Sequence, residues 1–332
     1  MTLLTPRASI VVPAYNVAAT LGDTLRSLLA QTYAAFEIVV VDDGSCDGTV
    51  AMARSFDDAR IRIVQQANRG LAGARNSGIA AARGRFIGFC DADDLWRPGK
   101  LAAHIAHLED NPQVGISFSG AILIDDAGQP TGLSQRPRLR GITAAHMFKR
   151  NPIGNGSSPV IRRTALEDIA FRPRHEELRD WYFDERLRQS EDIELWLRLM
   201  LSTDWTVEGI PGLLTQYRVA AQGLSAGITA QYGNWNRMVG KLVPLNPGFF
   251  AATLPAARAY QLRYLARRAV TSGQGDQALA LMRQSFAASR LPLWEEPAKT
   301  LTTLTAALVL RLAGPKAIDL MRRQLRRRTA NS

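Results

Sequence analysis

The sequence predicts an α/β fold, a doubly wound, mostly parallel sheet flanked by helices, with a C-terminal helical appendage. Three observations predict it. Short apolar runs alternate with segments of helical period as far as residue 108. Polar or acidic residues follow each of those runs at once. Beyond Asn246-Pro247-Gly248 only helical patterns remain. Alternation of this kind means parallel strands joined by crossover helices.

Taken in order, Ser9-Ile-Val-Val-Pro13 reads as a strand ending at Ala14-Tyr-Asn16, and Leu21, Leu25, Leu28 and Leu29 then recur at helical spacing. Residues 36–41 form a second strand that ends in Asp42-Asp43-Gly44-Ser45, followed by a helix through Val50, Ala53 and Arg54. Strands over 60–65 and 85–90 alternate with helices over 71–82 and 98–108. From about residue 113 the pattern fades into shorter strands and turns, with Asp125-Asp126-Ala127-Gly128 a hairpin turn. Residues 190–201 read as an amphipathic helix with Leu195, Trp196 and Leu199 inward, and 206–210 and 213–219 as two strands. Helices over 256–272, 274–289 and 299–328 follow, punctuated by Pro292, Pro297 and Gly314-Pro315. The expected domain boundary lies near residue 245, leaving 1–245 (halves 1–112 and 113–245) and a helical region 246–332 with a basic tail.

A hydrophobic fraction of 46% and a charged fraction of 21% exclude wholesale disorder and collagen-like or disulfide-scaffold chains. Cys46 and Cys90 are too few for a disulfide framework, which points to a reducing, cytoplasmic setting. The first residues run directly into a strand pattern without a signal peptide, and no apolar stretch is long enough to span a bilayer. The net charge of +11 is concentrated toward one end: residues 311–332 hold seven basic residues against Asp319. Beside an apolar helix, such a tail suggests peripheral contact with an anionic membrane rather than nucleic acid. A simply solvated basic tail is the competing reading.

In doubly wound sheets ligands bind outside the carboxyl ends of the strands. Here that rim collects residues 13–16, 42–45, 66–70 and 91–94, and its carboxylates would repel one another without a cation or hydrogen-bond donors. Asp91-Ala92-Asp93-Asp94 places alternate carboxylates at a strand end, oxygen ligands of the kind that suit Mn²⁺ or Mg²⁺. Alone, an Asp-x-Asp triplet is a weak signal, since acidic turns after strands are common.

The ordered set Ser9-Ile-Val-Val-Pro-Ala-Tyr-Asn16, Val41-Asp-Asp-Gly-Ser45, Asn68-Arg-Gly-Leu-Ala-Gly-Ala-Arg-Asn-Ser-Gly78 and Gly88-Phe-Cys-Asp-Ala-Asp-Asp94 resembles the family 2 glycosyltransferases of the GT-A fold, over about residues 8 to 225. The resemblance implies an inverting transferase moving a sugar from a nucleotide diphosphate donor, such as a UDP-sugar, to a hydroxyl acceptor on a lipid-linked or surface saccharide. It makes 1–112 the nucleotide-binding half and 113–245 the acceptor half. Tyr15 would border the nucleobase, Pro13, Ala14 and Asn16 would shape its pocket, and Asp43 would accept from the base with Asp42 supporting the loop. Arg75 would meet the diphosphate, with ion pairing to a nearby Asp as its structural alternative. Asp91 and Ala92 would face the donor, Asp91 on the ribose or the metal, and Asp93 would bind the metal.

Ser190-Glu191-Asp192-Ile-Glu-Leu-Trp-Leu-Arg198 resembles the family's acidic motif, which implies Asp192 as the general base at a helix N-terminus. Glu191 would orient the loop or acceptor, with Trp196 on the same acceptor side. Where many relatives carry Tyr-Arg-x-His followed by Ser, this chain reads Tyr217-Arg218-Val219-Ala220 with Ser225 beyond; without the His, either Asp93, water and the diphosphate complete the metal shell, or Gln222 helps, or metal affinity is weak. His104 and His107 fall on a helix expected at the surface. Two alternatives remain: a nucleotidyltransferase, for which Pro13-Ala-Tyr-Asn16 is the wrong loop, and a non-catalytic donor-binding protein.

Overall fold

The computed structural model describes residues 6–219 and 227–330, and of the last helix beyond residue 314 only the backbone. Its described residues fall into two compact units. The first comprises residues up to 147, 151–224 and 237–245, and the second 148–150, 225–236 and 246–332.

The first unit opens with β1 (Ala8–Ala14), α1 (Ala18–Leu29), β2 (Phe36–Asp42), α2 (Thr49–Arg54), β3 (Ile61–Gln65), α3 (Gly70–Ala81) and β4 (Phe86–Phe89). It continues through β5 (Leu95–Trp96), α4 (Lys100–Asp110), β6 (Val114–Ile124), β7 (Pro130–Gln135), α5 (Ala144–Arg150), β8 (Val160–Arg162), α6 (Arg163–Glu167), α7 (Glu191–Ser202) and β9 (Thr206–Arg218). The sheet order is β3-β2-β1-β4-β8-β6-β9-β5, with β7 paired to β6. The first four strands run parallel, as the alternation predicts, while β8 enters antiparallel to both β4 and β6.

β1 and β2 are buried along their whole length, which is why they read as unbroken Val/Ile runs rather than alternating ones. Leu21, Leu25 and Leu28 of α1 and Leu101, Ile105 and Leu108 of α4 complete that core. α3 lies close against β1 because Gly78 faces Val11: a Cβ at Gly78 would stand 2.1 Å from Val11 Cγ1.

Four expectations need correction. The chain beyond residue 113 does not break into shorter strands: β6 has 11 residues and β9 has 13, and they pair in parallel. Residues 206–218 form one strand that absorbs Pro211-Gly212 through shifts in register, with Gly212 at φ +110°. His104 and His107 are not at the surface. Lys100, His104, His107 and Leu108 share the inner face of α4, where both histidines contact Ser117 Oγ and burial depresses their basicity.

The second unit is helical. α8 (Ile228–Leu242), which the sequence reading passed over, contributes its first residues, and α9 (Pro247–Thr271), α10 (Gly275–Ala288), α11 (Leu291–Glu295) and α12 (Pro297–Ala330) follow. The fourth correction lies here: the helix expected over 256–272 already starts at Pro247, directly at the Asn246-Pro247-Gly248 break. Asn246 accepts from the Phe249 N–H and Pro247 sits in the first turn of α9, where its missing N–H costs nothing. Leu262, Leu265, Ala269, Leu279, Met282 and Ala307 form the core of this unit.

The close approach at Gly78 gives a direct test. Gly78→Ala gains helix propensity but drives a methyl into Val11, so the net effect is destabilisation by about 1–3 kcal/mol. The urea midpoint of the variant is expected to fall; an unchanged or raised midpoint would mean that α3 does not pack this tightly on β1.

Candidate active site

The parallel strands deliver their carboxyl ends to one rim. Ala14 pairs with Asp42 and Asp42 with Gln65, and the Asp43 N–H donates to the Ala14 carbonyl at 2.8 Å. Tyr15 projects from this rim, 51% exposed, while Pro13 and Ala14 are buried beneath it. Asn16 takes φ +53°, which lets its N–H reach Ser45 Oγ and its Oδ1 accept from the Cys46 N–H, locking the two loops together.

Asp42 and Asp43 are both buried and both occupied. Asp42 accepts from the Ser45 N–H and from Gln65 Nε2. Asp43 Oδ1 accepts from Gln66 Nε2 at 2.6 Å and the Arg69 N–H at 2.8 Å, and its Oδ2 from the Gly70 N–H at 2.8 Å. Arg69 and Gly70 begin α3, which has no side-chain cap of its own, so Asp43 caps it from across the rim. Of about four lone-pair positions on the carboxylate, one on Oδ2 is left for a ligand.

After β4 the chain turns so that the Asp94 N–H meets the Asp91 carbonyl at 2.9 Å. The Asp91 N–H donates to Ser157 Oγ at 2.9 Å. Ser157 is held in turn by Lys100, whose buried ammonium donates to the carbonyls of Ser157 and Ser158 and to Thr215 Oγ1, and lies over the Trp96 ring. Burial brings Lys100 down to about 7 against the upward pull of Cys90 and Asp94. Arg218 grips the same turn from the far side. Its N–H donates to Asp94 Oδ1, its Nε to the Asp93 carbonyl at 2.8 Å, and its Nη1 to the carbonyls of Asp125 and Asp126 in the β6–β7 turn.

Arg75 is the centre of the arrangement. Its side chain is buried against the edge-on pair of Phe89 and Phe183 rings, and its two terminal nitrogens donate to Asp91 Oδ1 and Glu191 Oε1, both at 2.9 Å. It reaches them because residue 156 is glycine: a Cβ there would lie 2.2 Å from Arg75 Nη2. The ion pairing set against the diphosphate expectation for Arg75 is present, one N–H of each Nη going to a carboxylate. Burial opposes the charge, but Asp91 and Glu191 overcome it and hold the guanidinium protonated.

α7 begins at Ser190, whose left-handed φ of +66° turns Glu191 inward to Arg75. Burial and the Asp192 charge push Glu191 up to about 7 despite Arg75. Asp192, half-buried beside it, accepts from the Ile193 N–H at 2.7 Å and is also raised by burial, with Arg75 pulling the other way. Trp196 is 1% exposed and packs edge-on to Phe183, so it supports the α7 core and does not reach an acceptor, contrary to expectation.

The acidic loop has the electrostatics of a cation site. Burial, then Asp91, raises Asp93 to about 6. Burial, Asp91 and Asp93 raise Asp94 well above the carboxylate range, and its Oδ2 has no partner. Among the described residues no three His, Cys, Asp or Glu side chains stand in metal-holding geometry. The carboxylates of Asp91 and Asp93 are the hard oxygen donors that Mg²⁺ and Mn²⁺ take alongside water and phosphate. Ala92, between them, is buried. Ala220, Gln222 and Ser225 lie outside the described residues.

Sequence reasoning missed Lys100, Ser157, Arg218 and the segment 176–185. In that segment Glu176 and Glu185 pair with Arg69, and the Tyr182 and Phe183 N–H groups donate to Asn76. The α4 signal was present: polar residues at 100, 104 and 107 fall at the spacing of the buried face.

Acidic loops at the ends of parallel strands and an acidic helix start therefore meet at one site. The glycosyl transferase family 2 profile matches residues 9–170. The E. coli UDP-Glc:alpha-D-GlcNAc-diphosphoundecaprenol beta-1,3-glucosyltransferase WfgD is 32% identical over 220 residues, covering 66% of this chain and 79% of that protein. Among solved structures, S. aureus TarS 1-349 in complex with UDP-GlcNAc superposes with TM-score 0.61 at 18% identity, covering 92% of each chain. The mannosyltransferase PcManGT from Pyrobaculum calidifontis, in complex with GDP-Man and Mn²⁺, gives 0.58 at 21% identity over 93% of this chain and 87% of its own. The chain belongs to glycosyl transferase family 2, with the GT-A fold, and is a glycosyltransferase. The nucleotidyltransferase alternative is set aside.

Replacing Arg75 tests the central ion pairs. Arg75→Met leaves buried carboxylates unpaired, a loss of about 3–5 kcal/mol. Without Arg75 the folded-state pKa of Glu191, already above the usual range, rises further. A carboxyl whose folded pKa is raised stabilises the fold below its unfolded pKa and loses that contribution as pH climbs through the folded value. The melting deficit against wild type is therefore expected to be smaller at about pH 5 than at about pH 8. An equal deficit at both would mean that Glu191 is not held by Arg75.

Proposed function

We propose that the chain transfers a sugar, with inversion, from a UDP-sugar to a hydroxyl of a lipid-linked saccharide presented at the cytoplasmic face of a membrane. The observation that carries this reading is Arg75, which ties Asp91 of the acidic loop to Glu191 beside Asp192 and so joins the donor end of the site to its base. WfgD's name, with its UDP-Glc donor and diphosphoundecaprenol acceptor, and the UDP-GlcNAc complex of TarS support the donor and acceptor classes.

In this reading Tyr15, Pro13, Ala14 and Asn16 border the nucleobase, and the remaining lone pair of Asp43 accepts from it, with Asp42 holding the loop. Asp91 and Asp93 would hold a divalent ion, and the ion when bound neutralises charge on the diphosphate leaving group. Lys100, through Ser157, and Arg218 fix the loop on which those two aspartates stand. Asp192 takes the acceptor hydroxyl proton as the oxygen attacks the anomeric carbon opposite the leaving group. Its raised pKa makes it a stronger base than an exposed aspartate. The Ile193 N–H holds its carboxylate at the start of α7.

Release of nucleoside diphosphate from UDP-, GDP- and dTDP-sugars with Mn²⁺ or Mg²⁺ tests the assignment. Asp192→Asn is expected to lower kcat by about 10²- to 10⁴-fold with the fold intact. Asp93→Ala is expected to abolish the metal-dependent rate. A folded wild-type chain that binds a donor but turns over none would instead support a non-catalytic donor-binding protein.

A further inference from the structure

α12 carries two apolar faces, and its own unit uses one. Thr300, Thr303, Ala307 and Leu310 are buried, with Thr300 Oγ1 accepting from Arg263 Nη1 at 2.8 Å and Ala307 in the core with Leu262 and Leu279. Leu301, Leu308 and Leu312 recur on the other side and stay 51%, 43% and 82% exposed. α11, which leads into α12, leaves Trp294 77% exposed. Side chains of this size along one helical stripe are more than the scattered apolar exposure of ordinary surfaces.

We infer that the outer face of α12 is a membrane-surface contact, on which Leu301, Leu308 and Leu312 enter the headgroup boundary of an anionic lipid layer. The inference rests on the membrane-presented acceptor proposed above and says which surface of the chain meets that membrane. Charge complementarity selects the occupant. Arg311, half exposed, adjoins the stripe but is ion-paired with Asp276 at 3.1 Å, so the charge comes from Arg322, Arg323, Arg326, Arg327 and Arg328, which follow in sequence with Asp319 as the one acid in residues 311–332. An apolar stripe joined to a cationic segment is the composition of an interfacial helix. Self-pairing as a coiled coil is disfavoured, because the stripe ends at Gly314, where φ +73° and ψ 178° interrupt the helix, well short of the three to four heptads such pairing needs. Among the described residues no helix is long and apolar enough to cross a membrane, so the contact is peripheral.

Co-sedimentation of the full chain with phosphatidylglycerol/phosphatidylcholine vesicles and with phosphatidylcholine vesicles, across a salt series and without donor, tests the surface apart from catalysis. Binding is expected to anionic vesicles and to weaken with salt. The triple variant L301E/L308E/L312E, at exposed positions, is expected to partition about tenfold less while donor hydrolysis and melting temperature stay at wild-type values. Single Leu308→Ser serves if the triple variant melts early. Unchanged partitioning of a folded variant, or a variant that converts a dimer to a monomer on sizing, would overturn the inference, the latter by assigning the stripe to a second copy. Loss of donor hydrolysis in wild type with vesicle binding retained would count against the proposed transfer reaction and not against the surface.

Discussion

The paired contact of Arg75 with Asp91 and Glu191 is the constraint on which the site depends. Three distant stretches of chain, the body of α3, the turn after β4 and the start of α7, meet on one guanidinium whose planar fork offers two parallel donors to two separate carboxylates. A buried charge network of this kind is costly to leave half made. Its partners are therefore placed together or not at all, which gives the acidic loop and the acidic helix start a fixed separation. Everything packed around it serves that end: the paired Phe89 and Phe183 rings against it, Gly156 with no side chain in the way, and Ser190 in a left-handed turn that aims Glu191 inward.

Beneath the rim lies a second polar layer that does the supporting. Lys100 would be an improbable core residue in isolation, yet two backbone carbonyls and the Thr215 hydroxyl take its protons, and the Trp96 ring covers its charge. Arg218 plays the matching part on the other side of the turn, where it satisfies backbone carbonyls that no strand partner reaches. Rigid placement of carboxylates against their mutual repulsion needs such fixed donors nearby, and both residues supply them, Lys100 through the carbonyls of Ser157 and Ser158, Arg218 through the Asp93 carbonyl and, by its own N–H, on Asp94 Oδ1.

The sequence made the parallel half of the sheet legible because buried parallel strands are plain Val/Ile runs and the residues after them are the rim. The order of the acidic motifs made the family legible as well. Contacts between residues far apart in sequence were not legible. Arg75 could be named as a site residue, but whether it faced phosphate or carboxylate depends on residues 91, 156 and 191 arriving together, which no local pattern encodes. Trp196 shows the converse: a helix period places it inward, and the inward side is core rather than acceptor space. β9 was divided in two because Pro211-Gly212 is a strong local breaker, whereas pairing along β6 carries the strand across it. His104 and His107 lie on a helix that reads as a surface one, although their spacing with Leu101, Ile105 and Leu108 puts them on its buried face.

Asp43 couples the ligand rim to the mechanical state of a helix. By accepting from the N–H groups of Arg69 and Gly70 it closes the frayed end of α3, and the same carboxylate keeps one lone pair toward the nucleotide side. Because Arg75 sits farther along the same helix, the element that Asp43 caps at the rim is also the one that carries the guanidinium gathering Asp91 and Glu191.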